Sequence, residues 1–129
     1  MNKTEFILGY ITCSLLSSHG DIDLCEYLDE KYDESDIAPV SRKTMESDCA
    51  EFIANNEALL DDYSEALGSN AEYSASEKAG HDFWLTRNGP GAGSWDLGIG
   101  ETGDKLTEAS KGFGEVDLYI GDDSKIYIH

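Results

Sequence analysis

The stretch SRKTMESDCAEFIANNEALLDDYSEAL, residues 41–67, decides the fold class. Met45, Cys49, Phe52, Ile53, Leu59, Leu60, Tyr63 and Leu67 recur at helical intervals and lay one apolar stripe along a helix. Ser41 suits an N-cap, and Gly68 stands where a C′ glycine closes a helix. Glu46, Asp48, Glu51, Glu57, Asp61, Asp62 and Glu65 fill the opposite face. Asn55-Asn56 loosens the middle, because asparagine competes with the helical backbone for hydrogen bonds. The segment reads as a helix that is acidic outside and needs a partner to cover its stripe.

Upstream, Phe6, Ile7, Tyr10, Ile11 and Leu15 predict a first helix, capped by Thr4 and ending between Ser17 and Gly20. Residues 21–32 read as a short helix or an ordered loop, and Pro39 disfavours helix at Ala38. Downstream, Ser74 caps a helix to Arg87, with Glu77 in capping-box position and Phe83 and Trp84 facing inward. Residues 88–100 are too rich in glycine for regular structure. A short helix follows over 103–111. Val116–Ile120 and Lys125–Ile128 then form a hairpin about a turn at Gly121–Ser124. A two-stranded ribbon is unstable alone, so it must pack on the helices. The expected fold is α+β and mostly helical, with three to five helices and a C-terminal antiparallel hairpin. At 129 residues this is a single domain over 1–129. Residues 1–79 make its acidic helical part, and residues 80–129 hold ten of the 13 glycines.

Charge narrows the function. Nine Lys and Arg stand against 27 Asp and Glu, a net charge of −18. Direct nucleic-acid binding is excluded, since phosphate contacts need cations, and an anionic membrane surface repels such a chain. No apolar run reaches the ~20 residues of a membrane span, and the N-terminus reads as an amphipathic helix rather than a leader. Cys13, Cys25 and Cys49 lack ligand or disulfide spacing and read as reduced thiols in a cytoplasm. No metal or cofactor is implied, and Asp122-Asp123 is turn chemistry rather than a calcium loop.

Residues 81–96 concentrate the remaining chemistry in His81, Asp82, Trp84, Arg87, Asn88, Trp95 and Asp96, around a Gly-rich loop. Two readings stay open. In one, Asp82, Arg87 and Asp96 fix the loop by ion pairs while Trp84 and Trp95 cover the core. In the other, the loop cradles a small ligand beside His81 and Arg87. The strand and the Lys-Ser/Thr of a phosphate loop are missing, and no nucleophile motif is present, so the balance is against an enzyme.

The string His81-Asp82-Phe83-Trp84-Leu85-Thr86-Arg87-Asn88-Gly89 and the later Leu118-Tyr119-Ile120-Gly121-Asp122-Asp123 with Lys125-Ile126-Tyr127 resemble a family of small proteins carried by bacteriophages and mobile elements. Leu106–Lys111 and Asp48–Phe52 fit as well, so the resemblance spans most of residues 45–127. Relatives are expected to carry a histidine between the two glycines where this chain has Pro90. That departure speaks against acid–base or metal chemistry in the loop. The resemblance implies phage origin and residence in a host cytoplasm, and it brings no catalytic residues.

The leading expectation joins charge to resemblance: a phage-encoded inhibitor of a host restriction or CRISPR-type enzyme, acting by DNA mimicry. Its partner is then the basic DNA-binding groove of a host protein. The mimicking surface is expected to comprise Asp29, Glu30, Asp33, Glu34, Glu46, Asp48, Glu51, Glu57, Asp61, Asp62 and Glu65. The alternatives are a non-enzymatic structural or regulatory phage protein, and a small ligand-binding or enzymatic domain around residues 81–96. If the chain dimerises, Phe6, Tyr10, Tyr27 and Leu28 are the interface candidates.

Overall fold

A computed structural model describes residues 2–18, 28, 32–67, 75–88 and 101–128. Within these residues lie five helices and a hairpin: α1 (Lys3–Ser17), α2 (Pro39–Asn55), α3 (Glu57–Leu67), α4 (Ala75–Arg87), α5 (Glu101–Lys111), β1 (Leu118–Ile120) and β2 (Ile126–Ile128). The protein is α+β and mostly helical. Gly68, Ser74 and most of residues 21–32 and 88–100 lie outside the described residues.

The segment that opened the sequence reading is two helices. The backbone leaves helical geometry at Asn56 (φ −132°, ψ 26°), whose Nδ2 donates to the Phe52 carbonyl at 2.8 Å. That side chain satisfies a carbonyl at the end of α2, and α3 starts afresh with Leu60 N donating to the Asn56 carbonyl. The start also differs from expectation. Pro39 takes the first helical position, where its fixed φ helps and its missing N–H costs nothing, with Ala38 extended before it. Ser41 is therefore inside α2 rather than its cap. Likewise Asn2, not Thr4, caps α1, its Oδ1 accepting from Glu5 N at 3.0 Å.

Ser41 has a different task. Its buried Oγ accepts from Ile128 N at 3.0 Å, and Ala38 N donates to the Ile126 carbonyl at 2.8 Å. Ile37 forms a parallel bridge with Ile126. The hairpin thus packs on the start of α2, as a lone ribbon requires. Its register pairs Leu118 with Ile128, Tyr119 with Tyr127 and Ile120 with Ile126. The turn is tied by Asp123, which accepts from Lys125 N and from the Tyr127 hydroxyl.

α1 and α4 cross at contact distance of their backbones. A Cβ on Gly9 would fall on the Glu77 carbonyl, and one on Gly80 would fall on the Phe6 carbonyl. Only glycine permits that approach. It brings Phe6, Tyr10, Phe52, Phe83 and Phe113 into one aromatic core, in which Phe52 and Phe83 stack at 4.2 Å. Burial of these rings is a substantial favourable contribution to folding. Phe6, Tyr10 and Leu28 are at most 1 % exposed, so these three interface candidates belong to the core of a single copy. Tyr27 lies outside the described residues. Among those residues, no helix is long and apolar enough to cross a membrane.

Candidate functional site

Two groups of charged residues emerge, one buried and one on the surface. The buried group centres on Arg87, which α4 carries into the core at 3 % exposure. Its Nη1 donates to Asp48 Oδ2 at 2.9 Å and to the Tyr10 hydroxyl at 3.0 Å. Nε and Nη2 donate to the carbonyls of Gly114 and Phe113. The guanidinium carbon lies 5.4 Å from the Phe83 ring centre and 5.5 Å from that of Phe113. A buried guanidinium is tolerable only with its donors engaged in this way. Burial holds the Tyr10 hydroxyl well above the ordinary phenol range, against the opposing pull of Arg87.

One turn earlier, Asp82 is 1 % exposed. It accepts from the Tyr63 hydroxyl at 2.6 Å and from Lys78 Nζ at 2.7 Å. Burial raises the Asp82 carboxyl above its ordinary value, while the Lys78 and Tyr63 hydrogen bonds pull it down. Burial and the Asp82 carboxylate both push Tyr63 upward. Nearby Cys13 is raised to about 12, mainly by burial, which leaves it a thiol. Half-buried His81 is pushed below its ordinary value by burial and by Lys78. Trp84 Nε1 donates to Ser17 Oγ, and Asn88 bridges the Trp84 carbonyl and Val116 N. Asp82 pairs with Lys78 and Arg87 with Asp48, while the expected ion pairing that holds the loop together with Asp96 falls on residues outside the described ones. Trp95 and Asp96 lie outside the described residues. Among those residues, no three His, Cys, Asp or Glu side chains gather as a metal-ligand set.

The surface group is acidic. Glu51, Glu57, Asp61, Asp62 and Glu65 are exposed on the end of α2 and along α3, whose Leu60 and Tyr63 face inward. Asp33 caps a single 3₁₀ turn at Glu34–Asp36, and Arg42 reaches toward both Glu34 and Glu46 at 3.6–3.7 Å. Asp48 stands apart from this surface, its side chain only 25 % exposed and held by Arg87. Asp29 and Glu30 lie outside the described residues. Sequence reasoning missed Glu101, Asp104 and Glu108, which are exposed on α5 where it packs beside α3. Their spacing of three and four residues puts them on one face, opposite buried Leu106 and Ser110. That spacing was the available signal. Fourteen carboxylate residues are exposed among the described residues, all within 33–65 or 101–123 and none on α1 or α4. Comparison with protein-family models, with curated proteins and with solved structures finds no match to this chain.

Proposed function

We propose that the chain is a phage-borne inhibitor that occupies the basic DNA-binding groove of a host restriction or CRISPR-type enzyme. The observation that carries this reading is the charge density of α3. Glu57, Asp61, Asp62 and Glu65 are exposed on a helix with no Lys or Arg of its own. At about 1.5 Å rise per residue they span roughly 12 Å in three steps, about 4 Å between successive charges on average. One strand of a DNA duplex carries one phosphate per about 3.4 Å. The acids of α5 add a second row beside the first.

The α3 row is not offset by Arg87 or Lys78, since Arg87 is buried with Asp48 and Lys78 is bound to Asp82. On α5, Lys105 pairs with Glu101 at 3.0 Å and neutralises one acid of the second row. The resemblance of residues 81–89 and 118–127 to phage-borne proteins supports the phage setting and the host cytoplasm. Such a surface releases counterions from a cationic groove as DNA does, so binding weakens steeply with salt.

The test is competition. A fluorescent duplex bound to purified restriction or CRISPR effector enzymes is titrated with the protein at low salt. Displacement that fades as salt rises supports the reading. No displacement from any such enzyme ends it.

A further inference from the structure

The end of α2, the break at Asn56 and the end of α5 enclose an open groove of about 480 Å³, lined by Glu51, Asn55, Asn56, Ala109, Gly112 and Phe113. Its polar side chains are Glu51, Asn55 and Asn56, and no lining residue is basic. The Glu51 carboxylate has no ion-pair partner among the described residues. Asn56 uses Nδ2 on the Phe52 carbonyl, which leaves its Oδ1 for a ligand. At the α5 end, Phe113 N bonds to the Ser110 carbonyl, a tightened i+3 bond. That bond diverts the N–H that would otherwise reach the Ala109 carbonyl at the negative end of α5, and Ala109 lines the groove. Half-buried Phe113 adds a flat apolar wall.

Several acceptors, one full negative charge and an aromatic wall match a planar, multi-donor cation better than a point charge. A guanidinium presents five N–H donors in a plane and stacks on aromatic rings, whereas an ammonium presents three donors from one centre. A single carboxylate is too little charge for a divalent cation, which takes six to eight oxygens. We propose that this groove seats an arginine side chain of the protein partner, beside the acid rows of α3 and α5. The identity of the partner as a DNA-binding protein rests on the proposed function; the guanidinium preference of the groove does not.

The experiment is an amide and side-chain NMR titration of the full chain with N-acetyl-arginine-methylamide. Parallel titrations use the lysine analogue and calcium alone. Saturable shifts centred on Glu51, Asn55, Asn56 and Gly112 are expected, with the lysine analogue binding several-fold more weakly. Glu51→Gln should weaken binding about five-fold by removing the charge from the hydrogen bond. Gly112→Met should abolish it by filling the groove, and both sites are exposed enough to leave folding intact. Shifts that never saturate, that spread over all acidic surfaces or that persist in both variants overturn the proposal. So does equal binding of the lysine analogue or a tighter calcium response at the same residues. DNA displacement by a protein whose groove ignores arginine discards the groove alone. An arginine-selective groove in a protein that displaces no DNA discards the inhibitor reading alone.

Discussion

Arg87 and Asp48 meet at 2.9 Å between two helices that are 39 residues apart in sequence, and the pair locks α4 to α2. The same guanidinium holds the Phe113 and Gly114 carbonyls, where α5 ends and the chain turns toward β1. One side chain thus ties three segments together.

Arg87→Met should destabilise the protein by roughly 3–5 kcal/mol, because it leaves a half-buried carboxylate, a phenol and two carbonyls without their donor. Arg87→Lys should recover only part of that loss, since one ammonium cannot reach four acceptors in three directions. Urea midpoints of the three proteins check this. Equal stability of wild type and Arg87→Lys contradicts it.

The α1–α4 crossing predicts intolerance of a single methyl. Gly9→Ala and Gly80→Ala should each cost about 1–3 kcal/mol, the usual range for overpacking, since each Cβ meets backbone carbonyl rather than a movable side chain. The double variant should cost less than the sum, because the first methyl already opens the crossing that the second needs. Thermal unfolding of the two single variants and the double variant measures the coupling.

Asp82 gives a pH prediction with a definite sign. Its folded-state carboxyl lies above the ordinary 3.8, so the folded protein holds that proton more tightly than the unfolded chain. Stability from this group is fully present below 3.8 and falls as pH rises toward the raised value. Asp82→Asn keeps an acceptor for Tyr63 and removes the titration. The difference in stability between Asp82→Asn and wild type should therefore grow in favour of the variant as pH rises from 3.8. A difference that stays flat with pH contradicts this assignment.

The acid rows predict a trade between stability and binding. Glu57→Gln, Asp61→Asn and Glu65→Gln together should raise stability by a few tenths of a kcal/mol per site at low salt, by relieving like-charge repulsion at i,i+4 spacing. Added sodium chloride should stabilise wild type more than the triple variant. In the DNA-competition assay the triple variant should lose most of its potency. Full potency in a neutralised α3 removes that helix from the binding surface.

Much of this architecture was legible because periodicity reports burial. The stripes in residues 6–15 and 45–67 and the alternation in 118–128 each mark a face that must be covered. The break at Asn56 was harder to read. Asparagine is only mildly unfavourable in a helix, and what ends α2 is a side-chain bond back to Phe52 that no composition signal announces. Asp48 illustrates a signal that was present and overridden. It stands three residues after Met45 and four before Phe52, on the core side of the helix, yet its charge suggested solvent. Its partner Arg87 is a tertiary fact, set by how α4 lies on α2. Lys78 and Asp82 were readable as an i,i+4 pair; Tyr63, 19 residues away, was not.

The attachment of β2 to Ala38 and Ser41 has a consequence for synthesis. The Ser41–Ile128 hydrogen bond joins residues 87 positions apart, so the entrance to α2 stays unsecured until nearly ninety more residues have left the ribosome. Non-local closure of that kind is slow and comes late. The nascent chain must hold its aromatic surfaces in solution until then, a task for which an abundance of mutually repelling carboxylates is well suited.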